Sequence, residues 1–184
     1  MREATKFVLE TLKIVFFALL IVIPIRYFLF EPFIVRGASM EPSFSEADYL
    51  IVDRISYRLR DPRRGEVIVF RYPRNPQKRH IKRIVGLPEE RITIEGKSVY
   101  IGPGEERMLL EEKYLPSNRD FGEEEIILGE EEYFVMGDNR NSSVDSRNWG
   151  ALSRDDIIGR AVIQVSPFDY FRWVDRPEYQ QIAE

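Results

Sequence analysis

The sequence contains no cysteine and a single histidine, His80. No disulfide framework, thiolate nucleophile or cysteine-based zinc site can be built from it. A histidine-rich metal centre is excluded too, and neither a metal nor another cofactor is expected. Any serine–histidine chemistry has only His80 to draw on. Charge of one sign is not in large excess. The chain carries 27 Lys/Arg and 31 Asp/Glu, a net charge of −4, so bulk attraction to nucleic acid is not implied. A long uncharged apolar run is also missing. The uncharged centre of the N-terminal apolar segment, residues 14–25, would be about 18 Å long as a helix, against a hydrocarbon core of roughly 30 Å.

What is present near the N-terminus is a largely apolar stretch, residues 7–30, interrupted by Glu10, Lys13 and Arg26. Counted whole, it is long enough to cross a bilayer if Lys13 and Arg26 extend toward the headgroups. A cleaved signal peptide would need a small-residue cleavage site, and none follows Ile25. A buried core helix is a poor alternative for a segment that is apolar all round. The expectation is a transmembrane helix. Arg2, Lys6 and Lys13 precede it, which places the N-terminus in the cytoplasm. Residues 1–30 then form a cytoplasmic tip and anchor, and residues 31–184 an extracytoplasmic domain on an inner or plasma membrane.

Beyond Pro42 the pattern is mostly β. Short apolar runs fall at 49–52, 66–70, 81–85, 126–128, 133–136 and 158–165, with a further strand expected at 33–36. Residues 91–94 and 98–101 flank Glu95-Gly96-Lys97 and read as a hairpin. Many short strands with Gly, Pro and Asn turns argue for an antiparallel, barrel-like sheet domain. Residues 102–124 read as a polar, solvated insertion.

Three stretches could carry chemistry. Gly37-Ala38-Ser39-Met40 sets a serine among small residues, where a hydroxyl and backbone N–H donors can meet a carbonyl; taken alone it reads as a plain turn. Six Lys/Arg and no Asp/Glu fall between residues 71 and 83, and Lys82 lies inside an apolar strand pattern. Burial there would lower its pKa toward neutrality and make it a proton acceptor. His80, two residues away on the same strand face, is the rival base. The loop from Gly137 to Arg147 is dense in Asn, Asp and Ser, as a surface turn is, yet it has the groups to pair Asp145 with Arg147 and to aim Ser143 at a buried amine.

Four strings occur in order: Gly-Ala-Ser-Met-Glu-Pro-Ser-Phe (37–44), Arg-Gly-Glu-Val-Ile-Val-Phe-Arg-Tyr-Pro (64–73), His-Ile-Lys-Arg-Ile-Val-Gly-Leu-Pro (80–88) and Gly-Asp-Asn-Arg-Asn-Ser-Ser-Val-Asp-Ser-Arg-Asn-Trp-Gly (137–150). Together they resemble the bacterial type I signal peptidases, also called leader peptidases. The resemblance implies a membrane-bound serine endopeptidase with a Ser-Lys dyad and an acyl-enzyme intermediate. It implies signal peptides of exported preproteins as partners, cut after small residues at −1 and −3, a lipid bilayer as the setting, and no nucleic acid.

Carried over by position, the resemblance implies Ser39 as nucleophile and Lys82 as general base. Ser143 would orient the amine, Asp145 and Arg147 form a supporting ion pair, and Gly137 allow close backbone approach. The oxyanion donors would be the N–H groups of Ser39 and Gly37, the latter standing where many members carry serine. Val35, Met40, Phe44 and Ile81 would line the substrate pockets, although they read equally as core side chains. His80 becomes a substrate-groove residue. The family's usual Gly-Asp after Leu-Pro is Glu89-Glu90 here. Two other readings stay open: a self-cleaving repressor-type Ser-Lys peptidase, and a tethered β-domain that binds exported peptides without cutting them.

Overall fold

The computed structural model describes residues 2–24, 30–116, 122–166, 170–177 and 179. The apolar runs become strands because β-branched and aromatic side chains alternate between two covered faces. Strand β3, Val67–Tyr72, shows this most clearly: Val67 and Val69 enter one core cluster, Ile68 and Phe70 another. With both faces covered, the run reads as continuously apolar.

The larger sheet is built from β1 (Phe30–Ile34), β2 (Tyr49–Asp53), β3, β4 (Asn75–Gly86), β9 (Glu132–Met136), β10 (Leu152–Ser153) and β11 (Ile157–Val165). Their order is β1-β2-β11-β3-β4-β9-β10, antiparallel throughout, with β12 (Phe171–Trp173) pairing β11. A second antiparallel sheet has the order β7-β6-β5-β8, from Arg91–Glu95 (β5), Ser98–Ile101 (β6), Met108–Leu109 (β7) and Glu123–Ile127 (β8). Gly96 opens the two-residue turn of the expected hairpin at φ +55, the left-handed backbone that glycine adopts without steric cost.

The larger sheet is rolled. β1 and β4 lie at separate places in its order, yet both line one groove, and Glu31 of β1 is ion-paired with Arg79 of β4. Among the described residues no ladder joins the two strands, so the roll is a barrel with an open seam. Its interior holds Val35, Met40, Phe44, Leu50, Val52, Val67, Val69, Ile81 and Ala161.

Two expectations need correction. The stretch 102–124 is not simply a solvated insertion: Leu110, Glu112 and Leu115 are buried, Leu110 within the core of the second sheet. Its polar composition concealed the three side chains that fold inward. At the N-terminus a helix, α1, runs Arg2–Pro24 as expected. Among the described residues, however, no helix is long and apolar enough to cross a membrane. Arg26 and Tyr27, at the outer end of the expected span, lie outside the described residues.

Candidate active site

The Ser39 loop follows β1 directly. Val35 closes the strand end by donating its N–H to Asp48 O (2.9 Å) and accepting from Ala47 N–H (3.0 Å). Gly37 then turns the chain at φ +79, a conformation costly for any residue with a Cβ. Met40 and Phe44 are fully buried and joined by a Phe44 N–H bond to Met40 O at 2.9 Å. These two side chains pin the loop from behind, leaving Ser39 at the surface, partly exposed.

Lys82 reaches the same point from β4, where it stands opposite Ile68 of β3. Its Nζ lies 2.7 Å from Ser39 Oγ and donates to Ile81 O at 2.9 Å. The residue is only 4 % exposed. Burial is the main cause that lowers its pKa from 10.5 to about 8; the charges of Asp145 and Asp138 act against this and that of Arg147 with it. An amine with such a pKa is neutral in a usable fraction of molecules near neutral pH.

The loop after β9 closes the site. The Asp145 carboxylate accepts from Gly137 N–H (2.9 Å) and from Arg147 Nε and NH2 (both 2.8 Å). It also caps the short helix α2, Ser146–Trp149, in a reciprocal arrangement with Asn148. Burial alone would raise the Asp145 pKa, but the Arg147 contacts and the Gly137 N–H outweigh it and hold the carboxyl below its usual value. Gly137 has no room for a side chain: a Cβ would stand 2.2 Å from Ser143 Oγ and 2.4 Å from Ser39 O. The structure thus brings Asp145 and Arg147 together and packs Gly137 tightly against Ser39 and Ser143.

The expected Ser143 contact is not formed. Ser143 Oγ is buried and makes no hydrogen bond to the Lys82 amine; it lies close enough to Asp145 to help hold that carboxyl below its usual value, and the amine is held by Ser39 and Ile81. The predicted substrate-side residues divide. Ile81 and His80 line a groove of about 860 Å³ together with Pro32, Ile34, Ser39 and Lys82. Val35, Met40 and Phe44 belong to the core beneath it, because the loop is anchored through them. His80 stacks on Tyr72, ring centroids 4.4 Å apart. Burial, then the charges of Lys82 and Lys78, lower its pKa. Its neighbour in the sheet is Phe70, not the serine. The Gly37 and Ser39 N–H groups donate to no described acceptor.

Residue-by-residue reasoning did not single out Arg83, Asp138 and Asn139. Arg83 Nε and NH2 donate to Asp138 at 2.9 and 2.6 Å, with both side chains buried. Asn139 donates from its backbone to Ser39 O and from Nδ2 to Ala38 O, each at 3.0 Å. The available signal was Arg83 itself, a charge in an otherwise apolar run.

A hydroxyl held by a buried, partly neutral amine beneath an extended groove is the equipment of an acyl-transfer hydrolase. The family model described as "Signal peptidase, peptidase S26" matches residues 8–166. The chain belongs to this signal peptidase family and is a serine peptidase. It is 36% identical over 164 residues to the probable signal peptidase I-2 of Synechocystis sp., covering 86% of this chain and 73% of that one. It is 37% identical over 169 residues to the signal peptidase I of Leptolyngbya laminosa, covering 86% and 80%. A crystal structure of a signal peptidase I from Enterococcus faecalis V583 is similar at 29% identity and a TM-score of 0.47, covering 55% of this chain and 97% of that one.

Proposed function

We propose that this peptidase removes signal peptides from exported preproteins with a Ser39–Lys82 dyad. The observation that carries the reading is the 2.7 Å separation of Nζ and Oγ at an amine almost wholly withdrawn from water. The Ser39 hydroxyl gives its proton to neutral Lys82 and attacks the carbonyl after the −1 residue. The N–H groups of Ser39 and Gly37 receive the oxyanion. Lys82 passes the proton to the leaving amine, forming the acyl-enzyme, then activates the water that hydrolyses it.

The open seam suits an extended substrate. A signal-peptide segment lying between β1 and β4 adds a strand to both edges, and its alternate side chains face the protein. Ile34, Ile81 and His80 along the groove leave room for small side chains next to Ser39.

Attachment to an inner or plasma membrane is part of the proposal. Phe7, Leu12, Ile14, Phe16 and Leu20 are all 56 % exposed or more, with apolar side chains unburied along α1, and the apolar sequence continues to Phe30. The crossing would use the whole stretch 7–30, which runs past the end of α1, and Arg2, Lys6 and Lys13 at its inner end would keep the N-terminus cytoplasmic and the β domain outside.

The test is cleavage of a preprotein in detergent. Ser39→Ala and Lys82→Ala abolish it, whereas His80→Ala changes only rate or selectivity. Full activity in Lys82→Ala with loss in His80→Ala overturns the assignment, as does binding of the preprotein without any cleavage by the wild type.

A further inference from the structure

We infer that Asn139 is a positioning residue for the oxyanion site: it fixes the peptide unit whose N–H receives the developing charge. The inference rests on the Ser39 reading above. Asn139 makes two hydrogen bonds into the nucleophile's loop, both to carbonyls and both 3.0 Å long. Its backbone N–H donates to Ser39 O and its side-chain Nδ2 to Ala38 O.

The second bond matters because of peptide geometry. Ala38 C=O and Ser39 N–H belong to one planar trans unit, in which the two groups point in opposite directions. Holding the oxygen toward Asn139 aims the N–H away from it. Asn139 lines a separate small cavity of about 270 Å³ with Glu41, Pro42 and Pro116, and it does not line the catalytic groove. Ala38, Ser39 and Lys82 line the groove. The Ser39 N–H is therefore directed to the groove side of the loop, where it has no described acceptor.

The loop has little else to stop this unit from rotating. Gly37 precedes it with a left-handed backbone and open space where a Cβ would stand, and Ala38 is exposed. Glu41 N–H also reaches Ala38 O, at 3.2 Å, but from within the same turn, so it moves with the loop. Asn139 is anchored elsewhere, between Asp138, locked to Arg83, and Arg140, locked to Glu112. It transmits the rigidity of two buried ion pairs to one N–H. Preorganised donors of this kind act on the transition state and not on bound substrate.

Asn139→Ala retains the backbone bond to Ser39 O and loses only the Nδ2 donor. Removing a whole oxyanion donor costs about 10²–10³ in kcat, and loosening one costs less. The expected result is a fall in kcat of about 10- to 100-fold with KM unchanged. Affinity for a peptide aldehyde, which forms a tetrahedral adduct on Ser39, falls by the same factor. Affinity for an uncleavable peptide with proline after the −1 residue does not. The pH at half-maximal rate stays that of wild type, since Lys82 is untouched. Asn139→Gln, which keeps an amide donor, recovers part of the loss. Wild-type kcat in Asn139→Ala, or equal loss of aldehyde and uncleavable-peptide affinity in a folded protein, overturns the inference. An active Ser39→Ala variant would instead overturn the dyad reading beneath it.

Discussion

Arg140 and Glu112 form an ion pair in which each side chain is 1 % exposed, although 28 residues separate them in sequence. Arg140 also donates from Nε to Gly137 O at 3.0 Å, and Glu112 accepts from Tyr114 OH at 2.9 Å. The pair fastens the stretch after β7 to the loop that carries Gly137, Asn139 and Asp145. Breaking one side leaves a buried, uncompensated charge, which costs about 3–5 kcal/mol. Glu112→Ala is expected to lower Tm by about 10 °C and to reduce kcat in the folded fraction. The double variant Glu112→Leu/Arg140→Leu recovers most of the stability and little of the rate. Thermal melts paired with preprotein cleavage check both outcomes.

The buried Lys82 sets two pH dependences that rise with pH in different windows. On the proposed dyad, cleavage needs the neutral amine, so the rate is expected to rise about tenfold per pH unit below pH 8 and to level off above it. Stability follows from the depressed folded value. Below about pH 8 both folded and unfolded chains carry the ammonium, and the folded state bears the full cost of burying it. Between 8 and 10.5 the folded state gives up the proton first, so stability rises with pH. Lys82→Met is expected to be inactive yet more stable than wild type by about 1–2 kcal/mol near neutral pH, after the lost hydrogen bonds are counted. That advantage shrinks as the pH approaches 10.5. Denaturant titrations at three pH values measure it.

Gly137→Ala tests the close approach behind the serine. The new methyl group meets Ser39 O at 2.4 Å and Ser143 Oγ at 2.2 Å, so the loop must move. An overpacking cost of about 1–3 kcal/mol is expected, with a cleavage rate reduced more than stability alone accounts for. A folded variant with wild-type kcat would mean that the loop yields without disturbing Ser39.

At Glu89-Glu90, where the resembling family carries Gly-Asp, the turn is kept by other means. Glu90 closes the turn: it accepts from Leu87 N–H at 2.7 Å and pairs with Arg64 through both oxygens. Glu89 sits at φ +65, a left-handed backbone that costs an L-residue about 1–2 kcal/mol. Glu89→Gly, ordinarily a destabilising change in a folded segment, is expected to hold or raise Tm. A clear drop in a melting experiment would refute this.

How much of this was legible in the sequence depended on where the physical signal lay. Strands such as Tyr49–Asp53 and Val67–Tyr72 announce themselves through β-branched and aromatic runs. The first half of Asn75–Gly86 does not, because its Lys78 and Arg79 face solvent along the groove. The three residues of Phe171–Trp173 are too few for a period to show. The serine and lysine are 43 residues apart, and no rule of spacing joins them. Their pairing came from the resemblance of ordered strings, and the rolled sheet provides its geometry. Glu112 was hidden because a carboxylate in an acidic stretch looks solvated until its guanidinium partner is known. Ser143 shows the reverse limit: a residue with a role implied by resemblance is present and buried, but its expected hydrogen bond is not made.

The unfilled seam has a consequence for the resting enzyme. Two strand edges left unpaired are an invitation to stitch onto another chain, the usual first step of β-mediated clumping. Here the invitation is guarded. Pro32, in the middle of β1, has no N–H to offer, while Arg36 and Lys78 place like charges along the rim. The gap proposed to receive a substrate strand is thereby made unwelcoming to a second copy of the same molecule.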